Sequence, residues 1–240
     1  MLSIPVIKMD LRINIRRIAV FFGLQLASML IAIGICTMKL IEISDIFWDT
    51  IPVIIIPMLM QMLLAYELVL HCRENGTIKF LMASPKSRVC IFQTKAGFLI
   101  GTNLALFAGT TLLGVITKVY RLTGMWSRQE YICLNIGGFC LQIFLMGFCF
   151  WMSCQKDSLG SYLSFAVGIP VLFYGIYLIY YLVDKCWFLQ YITIFSLFRQ
   201  HWYQKGNILW MIGCAVYLLL GALFFALAKR AFIRQTSDDR

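Results

Sequence analysis

Charge is what this sequence has least of. Only 13% of its residues are charged, about half of the roughly 25% usual for a soluble domain. Acids are rarer still, with 11 Asp and Glu against 21 Lys and Arg. A chain that is 61% hydrophobic with a mean hydropathy of +0.82 cannot dress its surface in polar groups. An ordinary soluble domain is therefore excluded, and a polytopic membrane protein remains. The net charge of +10 does not indicate a nucleic-acid binder, because the cations stand at the ends of apolar runs rather than on a patch interleaved with aromatics.

Chemistry-bearing motifs are missing as well. There is no H-E-x-x-H, no G-x-S-x-G and no pair of intramembrane carboxylates, so nothing points to an enzyme. Without a G-x-x-x-x-G-K-[ST] loop, no nucleotide phosphate would be cradled by this chain. The nine cysteines form no C-x-x-C pair and mostly fall in apolar runs, where Cys acts as a small hydrophobe. His71 and His201 are the only histidines, and the expected topology puts them on opposite sides of the membrane, where they cannot share a metal.

What is present is a set of six uncharged runs, at 18–38, 50–66, 96–117, 131–155, 158–183 and 206–228. Each reaches or approaches the roughly 20 residues that cross about 30 Å of hydrocarbon as a helix. The fold class expected is an all-α membrane protein with six transmembrane helices in a single domain, 1–240. The first run is too long for a cleavable signal and is expected to stay as an anchor. No Asp, Glu, Lys or Arg lies inside any run, which argues against a proton- or sodium-coupled carrier.

The ends of the runs carry topology. Lys and Arg number 14 in the tail before the first run, the 67–95 loop, the 156–157 link and the C-terminal tail, against 7 in the other three connections. The bias places both termini and the 67–95 loop in the cytoplasm of a multi-pass protein of the cell membrane. Residues 1–17 are expected to form an interfacial helix. Ser3 can cap it, Pro5 suits its first turn, and Ile4, Ile7, Leu11, Ile15 and Ile18 recur at helical spacing, with Lys8, Arg12 and Arg16 on another face. Near the other end, 184–205 holds thirteen uncharged residues between Lys185 and Arg199, too few to cross. That predicts a re-entrant or interfacial segment on the outer side, with Trp187, Tyr191 and Trp202 at the headgroups.

Proline occurs in two runs only, as Pro52 and Pro57 in the second and Pro170 in the fifth. Each removes a backbone donor, so these helices must find another for the freed carbonyl, and they are the ones proposed to line a path. Met58, Gln61, Met62 and Ala65 make a soft face on the second; Tyr174, Tyr177 and Tyr181 make a hydroxyl-tipped stripe on the fifth. Such faces suit a hydrophobic or amphipathic substrate, although ordinary helix packing uses the same residues. On the third run Gly97, Gly101, Ala105 and Gly109 recur every four residues, a stripe expected to admit a close helix neighbour.

The interval 67–95 is the most informative. Gly76 permits a positive φ, Thr77 can cap a short helix over 78–83, and Pro85 ends it. Arg73, Lys79, Lys86, Arg88 and Lys95 supply positive charge, and Phe80, Leu81 and Met82 an apolar patch that asks for a partner. The order Arg73-Glu74, Gly76-Thr77, Leu81, Ser84-Pro85, Ser87-Arg88 and Lys95 resembles the first cytoplasmic loop of the membrane subunits of type-2 ABC transporters. Lys86 stands where that pattern has an apolar or small residue.

The resemblance implies the permease subunit of an ATP-driven exporter. It implies a coupling helix between spans two and three that docks on a separate ATPase subunit through Arg73, Glu74, Gly76, Thr77, Phe80, Leu81, Met82, Ser84, Pro85, Arg88 and Lys95. It also implies a second permease copy or a related permease, spans two and five at the dimer axis, and an outer gate at 184–205. The chain itself would carry no cofactor, with ATP and Mg on the partner. A non-transporting membrane assembly or sensor-partner protein is the alternative.

Overall fold

The computed structural model describes residues 3–37, 50–82, 87–118, 127–182, 193–198, 203 and 208–238. Ser84, Pro85, Trp187, Tyr191 and Trp202, and the side chains of Lys79, Met82 and Tyr181, lie outside that description. Among the described residues there is no strand, and nearly all of the described chain is helical. We number its helices α1 (Ile4–Thr37), α2 (residues 50–74), α3 (Thr77–Met82), α4 (Arg88–Ile116), α5 (Arg128–Gln155), α6 (residues 159–182) and α7 (Leu209–Asp238). A 3₁₀ turn, Ile194–Leu197, precedes α7. All of them except α3 are long and apolar enough to cross a membrane, so the chain is compatible with a multi-pass membrane protein.

Three boundaries differ from expectation. The helix expected to lie separately in the interface is continuous with the first span, giving 34 residues in α1, about 51 Å at about 1.5 Å per residue. Nothing in 4–37 breaks it: Pro5 stands in the first turn, where its missing N–H costs no hydrogen bond. Similarly, α2 runs on to Glu74 and α4 starts at Arg88, so the expected 67–95 loop shrinks to little more than α3 and its flanks. Charged side chains did not end these helices, since backbone hydrogen bonds are indifferent to them.

Helices α2 and α5 form the inside of the structure. In their most apolar stretches 72% and 61% of residues are buried, against 22–33% for the other four spans. The prolines explain part of the arrangement. Pro57 has no N–H, so the carbonyl of Val53, four residues earlier, loses its α-helical donor, and that of Pro52 loses its π-helical one. The carboxamide of Gln142 on α5 donates to the Val53 carbonyl at 3.2 Å and to that of Ile54 at 3.0 Å, and Gln25 on α1 donates to that of Pro52. Pro170 likewise frees the Ala166 carbonyl, and the Cys149 thiol of α5 donates to it at 3.5 Å. π-Helical turns at Thr50–Ile55 and Leu163–Val167 precede both breaks.

Gln142→Leu should therefore leave the buried Val53 carbonyl short of a donor, at about 1–3 kcal/mol for the group left unpaired. Thermal unfolding of the purified variant checks this. A wild-type midpoint would mean that water replaces the amide.

Close approach is made by glycines other than the expected stripe. A Cβ on Gly147 of α5 would stand 2.9 Å from the carbonyl oxygen of Gly221 on α7, and one on Gly221 would stand 3.1 Å from that of Ile143. Around this seam Phe144, Phe148 and Trp151 of α5 pack against Phe224, with ring centroids 5.4–5.8 Å apart. By contrast Gly101 and Ala105 are exposed, and nothing lies within 4 Å of a Cβ built on Gly101 or Gly109. Among the described residues, no helix packs on the α4 stripe at Gly101 or Gly109.

Of the segment 184–205, the described part packs inward. Phe195 and Phe198 are buried; Phe195 meets Tyr174 edge-on with centroids 5.5 Å apart, and the Tyr217 hydroxyl donates to the Ile194 carbonyl at 2.8 Å.

Candidate functional site

The site grows from the end of α2. Asn75 and Gly76 close the helix through N–H donations to the carbonyls of His71 and Arg73, both at 3.0 Å. Gly76 then takes φ +70°, a backbone that L side chains avoid, and the chain turns at once into α3. Thr77 is the first residue of that helix; the carbonyl of Gly76 accepts from Phe80 N–H at 3.4 Å. Beyond the short link, Ser87 caps α4, its hydroxyl accepting from Cys90 N–H at 3.3 Å, and Arg88 opens the helix.

The expected apolar tip is divided. Ile78 and Leu81, three apart and so on one face, are 4% and 7% exposed and belong to the core, whereas Phe80 is 80% exposed. Adjacent residues of an α-helix point about 100° apart, so three in a row cannot share a face. Leu81 anchors α3 to its own chain, and among the described side chains of 78–82 Phe80 is the exposed one.

Charged groups brace this turn. The Arg73 guanidinium donates to the Lys156 carbonyl at 3.1 Å and pairs with Asp157, tying the end of α2 to the α5–α6 link. The Tyr66 hydroxyl donates to Glu74 at 3.0 Å, and Asn75 contacts the His71 ring at 2.9 Å. One turn deeper, Glu67 is largely buried and pairs with Arg17 of α1 at 2.7 Å.

Lys95 corrects its assignment. It lies two turns inside α4 at 0% exposure, with its Nζ 3.3 Å from the carboxylate of Asp10, itself 1% exposed, and 3.9 Å from Cys72 Sγ. A buried ammonium needs a counter-charge close by, and here the protein supplies it from α1. Lys95 holds α1, α2 and α4 together and offers no surface to a partner. The Ser3 N–H, donating to Thr94 Oγ1 at 2.9 Å, adds a second tie. On α1 the buried row is thus Val6, Asp10 and Asn14, while Ile4, Leu11 and Ile15 are exposed. Asp10 was legible in one respect: it is the sole acid before Glu42, against five cations.

The residues proposed to line a path are also placed differently. Met58, Gln61, Met62 and Ala65 are all buried within this chain, where Gln61 donates to Asn103 at 2.8 Å and the Tyr162 hydroxyl to the Met62 carbonyl at 2.6 Å. Gln61 and Asn103 are amides that pair in apolar surroundings because water is excluded. It is Leu59 and Leu63 that α2 leaves exposed. Tyr174 is buried and Tyr177 half-buried, both against Phe195. Among the described residues, packing within the chain claims Met58, Gln61, Met62, Ala65 and Tyr174, and half-buries Tyr177.

The class these observations define is an α-helical protein with six potential membrane spans and a short helix braced between the second and third. Compared with known proteins, the chain matches no family model and no curated sequence.

Proposed function

We propose that the chain is the membrane subunit of an ATP-driven exporter, in which α3 docks on a separate ATPase subunit at the cytoplasmic face of the cell membrane. The observation that carries this reading is Phe80, 80% exposed on a helix whose other described apolar side chains, Ile78 and Leu81, are anchored inward. A large aromatic on a braced support is the form of an interface anchor. Because Arg73 and Glu74 join the turn to the α5–α6 link and to α2, a push on Phe80 would reach the spans rather than bend a loose loop. With the Met58–Ala65 face packed inside one chain, the path would run between this chain and a second permease copy or a related permease. Hydrophobic or amphipathic substrates suit it, and ATP and Mg belong to the partner.

The test is copurification of ATP hydrolysis with the tagged chain, with a photocrosslinker at position 80 to identify what it touches. Phe80→Asp should lose roughly 10- to 100-fold in partner binding, the worth of one buried aromatic anchor, at undiminished yield of the membrane subunit. Leu81→Asp should lower the yield instead. Full ATPase recovery with Phe80→Asp would sink the docking role; recovery without substrate-stimulated hydrolysis in the wild type would favour the non-transporting assembly.

A further inference from the structure

The π-helical turn that opens α2 is served from α1 by Gln25, whose carboxamide N–H donates to the Pro52 carbonyl. The other end of that carboxamide is left without a donor. Gln25 is 3% exposed, and its Oε1 has no hydrogen-bond partner among the described residues. A buried acceptor of this kind asks for one. Gln25 lines a small hollow where α1, α2, α4 and α5 meet, walled by buried residues of all four helices. The hollow admits the centre of a water-sized sphere over about 10 Å³, which is about the least that one water molecule needs.

The chemistry of the wall narrows what fits. Thr110 and Asn135 line the hollow with Gln25. The Thr110 hydroxyl directs its hydrogen to its own helix, donating to the Phe107 carbonyl at 2.9 Å, so toward the hollow its oxygen can only accept. Asn135 Nδ2 gives one hydrogen to the Tyr131 carbonyl at 2.9 Å and has a second to give. Two acceptors and one donor therefore border the space. A cation would be repelled by the Asn135 amide hydrogens, and an apolar guest would offer nothing to Gln25 Oε1. A molecule that donates twice and accepts once satisfies all three, and water is small enough.

We propose that this hollow is the seat of one resident water molecule, which donates to Gln25 Oε1 and Thr110 Oγ1 and accepts from Asn135 Nδ2. Three hydrogen bonds are the usual complement of a buried water. Bound there, it joins α1, α4 and α5 to the π-helical turn of α2, because the water and the Pro52 carbonyl hold opposite ends of one carboxamide. Spans broken by proline are stabilised by such ordered waters and side chains. The site rests on the packing of the spans and is independent of the transport reading.

Hydroxyl-radical footprinting by X-ray radiolysis of the full chain in lipid nanodiscs tests this, because a bound water is cleaved in place and oxidises the side chain beside it. Met29 lines the hollow at 5% exposure, and Met62 at 3% is the control. Met29 should be oxidised about tenfold faster than Met62, the difference being the water beside it. Gln25→Leu removes the acceptor and should slow Met29 oxidation about fivefold. Thr110→Val keeps the shape and drops only the hydroxyl, so it should slow Met29 about two- to threefold even if Gln25→Leu fails to fold. As a control for hydroxyl loss on the same helix, Thr102→Val should leave the rate unchanged. Oxidation of Met29 no faster than that of Met62 would overturn the site. Equal Met29 rates in the wild type, Gln25→Leu and Thr110→Val would overturn it too, since the label would then come from bulk solvent. A Met29 rate that falls when sodium replaces choline in the buffer would make the occupant a cation and overturn the water.

Discussion

Replacing Lys95 by methionine is expected to destabilise the protein by about 3–5 kcal/mol, because it leaves the Asp10 carboxylate buried without a counter-charge. The pair is almost entirely withdrawn from solvent, with Lys95 at 0% and Asp10 at 1% exposure and 3.3 Å between them. Neither partner can be hydrated when the other is lost. For a chain of this size that corresponds to a fall in the unfolding midpoint of order 10 °C. The double variant Asp10→Leu with Lys95→Met should recover much of the loss, since two apolar groups of similar volume need no counter-charge in the same space. Measuring both midpoints separates pairing from packing. If Lys95→Met unfolds where the wild type does, the ammonium is reached by water and the description of this junction fails. If the double variant is as poor as the single one, shape rather than charge holds α1 to α4.

The second large effect is expected at the α5–α7 seam. Gly147→Ala places a Cβ 2.9 Å from the Gly221 carbonyl oxygen, a backbone atom that cannot step aside without moving α7. Overpacking of this kind costs about 1–3 kcal/mol. Gly147→Leu should exceed that range, because the whole side chain must enter the plane where Phe224 and Phe225 already lie 3.2 and 3.4 Å from the added Cβ. The comparison that gives the test its force is Gly101→Leu, whose Cβ meets nothing within 4 Å. In detergent, Gly147→Leu should lose folded yield and Gly101→Leu should keep it. Equal behaviour of the two would mean that the seam yields freely. Should Gly101→Leu keep its fold yet reduce association with another copy, the α4 stripe would be a contact between chains.

Much of the local structure was legible. The six apolar runs mark the six long helices, because roughly 20 residues without charge have no other way to satisfy their backbone in hydrocarbon. The short helix after Gly76 could be placed because few residues take a positive φ and Gly76 does, at +70°. The prolines announced that carbonyls in the second and fifth runs would want donors. Which face of α3 would stay outside was legible in principle from the spacing of Ile78 and Leu81, but the apolar composition of 80–82 hid it. Charge does not mark the ends of the helices: α2 continues past Glu67 to Glu74, and α4 begins at Arg88, before Lys95.

What the sequence by itself determined is which segments become helices and which of them are apolar enough to span a membrane. Partners were decided only in three dimensions. Asp10 meets Lys95 across 85 positions, Gln142 reaches the Val53 carbonyl across 89, and Arg73 reaches Asp157 across 84. No local period records such pairs. The physical reason lies in the solvent: lipid tails are as apolar as leucine, so hydrophobicity selects the helices without saying which faces meet. That choice falls to the few buried polar groups that must be paired and the few glycines, Gly147 and Gly221 among them, that let backbones approach. Residues of the same types occur elsewhere in the chain, such as Gly101 on its open face, and only the packed structure tells them apart.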